Sequence, residues 1–233
     1  MGTTREYRRD WSAALGRDME LLRFGDAGLP LLVFPTSMGR FFQWEDFGLV
    51  GALEDKIGDG HVQLWCVDSV DEESWYAKGR HPADRVRRHL VYERYLVDEL
   101  IPEMPSPPVA AGTSFGGFHA VLLALRQPRH VAGFVSLSAA FDTDHWLDGY
   151  HDRESYLTNP LAFLQGLNDP TYLTPIRAFE KKVIATGRDD ANSAESIRLG
   201  ELLLEKGVDV RLDVLDGWAH DWPYWGEMMR RYV

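Results

Sequence analysis

The sequence predicts a three-layer α/β domain, a mostly parallel sheet with helices on both faces. Two observations carry this expectation. Short apolar runs alternate with longer amphipathic ones, and several short runs, LLVF and FVSL among them, are apolar at consecutive positions. Strands that are apolar on both faces are covered on both faces, as in parallel α/β layers. The length of 233 residues suits one domain of this kind. A single domain over 1–233 is therefore expected, with 141–175 as a short cap-like excursion.

In chain order, Met19–Phe24 and Leu31–Phe34 read as the first strands, separated by the turn formers Gly25-Asp26. Val62–Val67 follows Gly58-Asp59-Gly60 as the next strand. From Ala83 to Met104, apolar Val86, Leu90, Val97 and Ile101 recur at helical spacing between Arg and Glu. Pro105-Ser106-Pro107-Pro108 ends that helix and introduces the strand Val109–Ala111. Gly116–Arg126 is nearly all apolar, which predicts a helix buried on several sides. Gly133–Leu137, Lys182–Thr186 and Val208–Leu215 complete the strands, and Ser193–Lys206 is an amphipathic helix stopped by Gly207. Between Phe141 and Pro175 the rhythm breaks into Asp, aromatics and Pro, which predicts an excursion over one end of the sheet.

Composition excludes several classes. Apolar residues at 45% and charged residues at 26% rule out disorder, collagen-like repeats and coiled coil. The 25 basic against 36 acidic side chains give −11, which repels phosphate backbones and argues against nucleic acid as a partner. The single Cys66 excludes an intrachain disulfide. The opening MGTTREYRRDW has no apolar core of a secretory leader, and no run approaches the ~18 apolar residues of a membrane span. A cytoplasmic protein with a small-molecule substrate and no membrane association is expected. A homo-oligomer is compatible with the sequence but not read from it.

The most informative residues are Gly112-Thr113-Ser114-Phe115-Gly116, a G-x-S-x-G match followed by Gly117. It follows an apolar strand and opens a buried helix, the setting of the nucleophile elbow of α/β-hydrolases. The serine then sits on a sharp turn at the C-terminal edge of the sheet, and side chains at Gly112 or Gly116 would crowd that turn. The helix N-terminus offers free N–H groups to a developing oxyanion.

Of eight histidines, His220 is placed to serve as base: it follows the last strand, within Gly217-Trp218-Ala219-His220-Asp221-Trp222. His119, one turn into the nucleophile helix, reads as a packing residue. Asp142, Asp144, His145 and His151 lack a recognised ligand spacing and read as a solvated loop, so no metal is expected. The acid that orients the base belongs on a strand-end loop between Ser114 and His220. Asp189 and Asp190, after the strand KVIAT, both fit, with Asp142 and Asp144 as alternatives. One of the two neighbours is expected to orient His220 and the other to act locally, a cap on the helix near Ser193 being one such use. For the oxyanion, one donor is the Phe115 N–H; the other lies in Pro35-Thr36-Ser37-Met38-Gly39, where Pro35 has no N–H, Ser37 is the first choice and Thr36 the second.

Taken together, the chain resembles the esterase family of α/β-hydrolases that includes the esterase D, S-formylglutathione hydrolase and mycolyltransferase types. The resemblance rests on Ser12–Met19, the loop FPTSMG, the elbow GTSFGG, the post-strand GRDD and the ending His220-Asp221-Trp222-Pro223-Tyr224-Trp225. It covers nearly the whole chain. It implies an α/β-hydrolase fold and a serine carboxylesterase that works through an acyl-serine, with Ser114 as nucleophile, His220 as base and Asp190 as acid, and no cofactor. An acyltransferase would use the same acyl-serine with an alcohol in place of water. A binding protein on the same scaffold would be expected to have lost part of this set. Trp44, Trp75, Tyr76, Trp218, Trp222 and Trp225 are expected near the strand ends that carry the site, some as pocket and some as packing.

Overall fold

The computed structural model describes residues 4–233; Met1, Gly2 and Thr3, where the leader reading begins, lie outside the described residues. Eight strands form one mixed sheet: β1 (Arg5–Ser12), β2 (Arg17–Phe24), β3 (Leu29–Phe34), β4 (Val62–Val67), β5 (Val109–Thr113), β6 (Gly133–Leu137), β7 (Lys181–Gly187) and β8 (Arg211–Leu215). Their order is β1-β2-β4-β3-β5-β6-β7-β8. β1 and β2 run antiparallel to their neighbours, and every pairing from β4 to β8 is parallel. In the centre, Leu32 of β3 stands beside Trp65 of β4 and Ala110 of β5.

Strand alternation divides the core in two. Leu32, Phe34, Ala110, Phe134 and Ile184 point to one face. There they meet α4 (Pro82–Tyr95), α5 (Phe115–Arg126) and α9 (Ser193–Glu205), which supply Val86, Tyr92, Phe118, Val121, Leu199 and Leu203. Leu31, Val33, Val109, Ala111, Val135 and Val183 point to the other face. It is covered by the short helices α1 (Gln43–Asp46), α2 (Leu49–Ala52) and α3 (Glu54–Gly58) and by α10 (Trp222–Tyr232), through Trp44, Leu49, Ile57, Trp225, Met228 and Met229. Among the described residues no helix is long and apolar enough to cross a membrane.

Three expectations change. The edge strand β1 has no apolar run: its side chains are mostly exposed, and an antiparallel ladder to β2 along its whole length holds it, with surface ion pairs Arg23 to Glu6 at 3.0 Å and Arg9 to Asp18 at 2.8 Å beside the ladder. The long helix expected to Met104 ends as α-helix at Tyr95, then loosens into a π turn over Leu96–Leu100 and a 3₁₀ turn over Ile101–Glu103. Pro102, which has no N–H, sits where the α-helical ladder would need one. β8 begins at Arg211, because Val208 closes the end of α9 instead, its N–H bonding Leu203 O at 2.9 Å past Gly207 at φ +71°. The segment after β6 carries three short helices. Its helices α6 (Arg153–Leu157), α7 (Pro160–Gly166) and α8 (Pro170–Ala178) pack beside α4, α5 and α9, because Phe163, Leu164, Leu173 and Ile176 are buried there.

Candidate active site

β5 passes into α5 through Ser114, which stands at φ +53°, ψ −126°. Such a conformation costs a non-glycine residue on the order of 1–3 kcal/mol and persists only where its surroundings impose it. Here the Ser114 N–H bonds Leu137 O of β6 at 2.8 Å. The flanking glycines let backbone meet backbone. A Cβ on Gly112 would lie 2.2 Å from the Gly116 carbonyl, and one on Gly116 would lie 2.5 Å from Phe34 O at the end of β3.

His220 sits on the loop between β8 and α10, and Asp190 on the turn after β7. The structure brings both to Ser114: His220 Nε2 lies 3.0 Å from Ser114 Oγ, and His220 Nδ1 lies 3.1 Å from each Asp190 carboxylate oxygen. A carboxylate only accepts, so Nδ1 carries the proton and Nε2 is free to accept from the serine hydroxyl. Burial by itself would raise the Asp190 carboxyl. Hydrogen bonds from His220 and the Asn192 N–H, with the Ser138 side chain beside them, outweigh it and hold Asp190 below the ordinary carboxylate range. The Trp225 ring stands edge-on to His220, centroids 4.8 Å apart.

Asp189 does not face this group. Residues 188 and 189 form a turn rather than an extended run, with Asp190 N–H bonding Gly187 O at 3.2 Å, and Asp189 is left exposed. Nor does Asp189 cap α9. The carboxylate bonded to the Asn192 N–H, just ahead of that helix, is Asp190 itself. Asp142 turns to Asn159, at 2.8 Å, and to the Asp144 N–H, at 3.0 Å. His145 lies against Trp146, and His151 comes within 3.8 Å of Asp144 in the exposed part of the loop.

The two backbone N–H groups expected to receive an oxyanion both lack a partner among the hydrogen bonds of the described residues. One is Phe115, the first residue of α5; the other is Ser37, in the loop after β3. Thr36 is unavailable, since its N–H bonds Gln43 Oε1 at 2.8 Å. Tyr76 reaches the same loop, donating its hydroxyl to Ser37 Oγ at 2.8 Å. Gln43 and Tyr76 reach the loop from 7 and 39 residues along the chain, and no sequence pattern links either spacing to such a contact.

The aromatic residues divide between packing and rim. Trp44, Trp75 and Trp225 are buried. Phe115 is closed in by Trp146 at 4.7 Å, Tyr76 at 5.5 Å and Trp75 at 6.5 Å between ring centroids. Trp222 stacks on the half-exposed Phe47, centroids 4.3 Å apart, at the outer edge of the His220 loop.

One further glycine fixes the geometry. A Cβ on Gly187 would lie 1.7 Å from Trp218 O, so the turn carrying Asp190 and the loop carrying His220 touch through backbone. Gly187→Ala is expected to push that loop outward, lowering thermal stability by about 1–3 kcal/mol and turnover with it. A melting curve and an activity assay on the variant check this, and a melting point equal to wild type would contradict it.

No protein-family profile matches the sequence, and no curated protein sequence does either. Solved structures do match in shape. A ferulic acid esterase superposes with a TM-score of 0.78 at 15% identity, over 99% of this chain and 96% of that one. An S-formylglutathione hydrolase from Agrobacterium tumefaciens gives 0.74 at 13% identity, over 99% and 93%. A thermostable esterase from Pseudomonas putida gives 0.67 at 16% identity, over 99% and 81%. The chain has the α/β-hydrolase fold, with the sheet order and helical layers described above.

Proposed function

We propose that the protein is a serine carboxylesterase acting on small carboxylic esters through an acyl-serine intermediate. The observation that carries this reading is the continuous contact from Asp190 through His220 to Ser114, with the serine held on a strained turn at a helix N-terminus. His220 takes the Ser114 proton as Oγ attacks the ester carbonyl, and the N–H groups of Phe115 and Ser37 receive the oxyanion. His220 returns the proton to the leaving alcohol. Water then attacks the acyl-serine with His220 again as base. The names of the similar structures, two esterases and an S-formylglutathione hydrolase, support the same chemistry. The His220 side chain is 32% exposed, so water can reach the base beside the acyl-serine.

The test is a panel of aryl esters graded by acyl length, run with and without a fluorophosphonate. Turnover that the fluorophosphonate abolishes is expected. Trp75, Tyr76 and Trp146 crowd Phe115, the residue next to Ser114, and a long acyl chain that had to displace such packed rings would incur a steric cost of about 1–3 kcal/mol, so acetate to butyrate should be hydrolysed at least about tenfold faster than octanoate. Faster octanoate turnover would contradict the crowded site, and the absence of turnover on every ester would contradict the function.

A further inference from the structure

Behind the candidate site lies a second histidine–carboxylate pair that the proposed mechanism does not use. Asp71, in the 3₁₀ turn after β4, is fully buried, and His119, in the second turn of α5, nearly so. His119 Nε2 lies 3.1 Å from Asp71 Oδ1. The other oxygen, Oδ2, accepts the Met38 N–H at 3.1 Å. Met38 stands at φ +57°, a strained conformation for its type, in the residue next to Ser37. The Asp71 backbone carbonyl accepts the Tyr76 N–H at 2.9 Å, and Tyr76 in turn donates to Ser37 Oγ. The His119 ring stacks on Phe34, at the end of β3, with centroids 5.7 Å apart, and meets Phe115 edge-on at 4.8 Å.

One buried carboxylate thus ties three separate pieces of chain together: the helix that begins beside Ser114, the loop after β3, and the loop after β4. A buried carboxylate is retained only where its oxygens are satisfied, and here one is satisfied from each side of the candidate oxyanion site. We propose that Asp71 and His119 are positioning residues that lock the Met38 N–H, and with it the neighbouring Ser37 N–H, at a fixed distance from the nucleophile helix. This rests on the reading of Ser37 and Phe115 as the oxyanion donors. The pair touches neither substrate nor reacting atoms. It acts by keeping the second donor aimed at the tetrahedral intermediate, where a displacement of a fraction of an ångström is felt more than in the ground state.

The experiment compares the full-length wild type with Asp71→Asn, Asp71→Ala and the paired Asp71→Val/His119→Phe. It reads kcat and KM on an aryl acetate, the inhibition constant of phenylboronic acid, and the thermal midpoint. The paired variant replaces both partners by apolar groups of similar shape, a change that folded proteins tolerate. It therefore tests the idea even if Asp71→Ala does not fold. Asp71→Asn keeps an acceptor for Met38 and a donor for His119, so its kcat should stay within about threefold of wild type. Asp71→Ala and the paired variant should lose about ten- to a hundredfold in kcat, less than removal of an oxyanion donor. Their KM should change by no more than about twofold, and boronate should bind more weakly by a factor like that in kcat, because its tetrahedral adduct uses the same donors. A folded paired variant with wild-type kcat would overturn the proposal. So would an unchanged boronate constant, or an Asp71→Asn variant as slow as Asp71→Ala. A wild-type chain that neither turns over esters nor is labelled by fluorophosphonate would remove the underlying reading as well, which separates the two failures.

Discussion

Replacing Ser114 by alanine is expected to abolish fluorophosphonate labelling and to lower ester turnover by about 10⁶-fold, leaving only the ~10³–10⁴-fold advantage over water that oxyanion donors and binding supply. The expectation follows from the contact of Ser114 Oγ with His220 Nε2 at 3.0 Å and from the helix N-terminus beside it. The fold should be indifferent to the change, because alanine meets the same backbone strain at φ +53° that serine does. Labelling of the alanine variant at the wild-type rate would show that the nucleophile lies elsewhere.

Asp190→Asn is expected to cost about 10⁴ in turnover, while Asp189→Asn should leave turnover unchanged. An amide in place of Asp190 can offer its NH₂ to His220 Nδ1, which favours the tautomer with its proton on Nε2 and removes the acceptor that Ser114 needs. Asp189 is exposed and turned away, so its charge is of little consequence. The same substitution has a pH signature. Asp190 stays ionised to lower pH in the folded chain than in the unfolded one. Its contribution to stability is therefore present above the ordinary carboxylate range, about pH 4, and is lost as pH falls through its depressed value. Turnover and melting of the two variants, measured side by side from neutral to acid pH, decide the assignment. A dead Asp189→Asn beside an active Asp190→Asn would reverse it.

The parts of the molecule legible in the sequence are those whose information is local. The central strands announce themselves because burial on both faces forces consecutive apolar residues, and Val62–Val67 and Gly133–Leu137 match the structure at both ends. The elbow is legible because two glycines must flank a serine wherever backbone packs this closely. β1 is not legible: an edge strand with most side chains exposed needs no apolar alternation, and its stability comes from partners on β2. The choice between Asp189 and Asp190 is not legible from the residues either, since it depends on a turn whose direction is set by Gly187 and the Trp218 loop. Gln43, Tyr76 and Asp71 are hidden for a further reason. Each acts on the loop after β3 from 7, 39 and 33 residues away, and no spacing rule links a buried acceptor to a donor that only the folded chain brings near.

From β5 onward the strands join the sheet in the order in which they leave the ribosome, each beside its predecessor. The elbow is framed by β3, β5 and β6, all of which precede β7. His220 comes 106 residues after Ser114, on a loop that takes its place only once β8 has docked on β7. At about 5–20 residues per second of synthesis, Ser114 exists for on the order of 5–20 s before His220 has been made. A serine hydroxyl without a base is a poor nucleophile. On the proposed mechanism, the growing chain therefore carries Ser114 in a dormant form, and arrival of the final strand arms it.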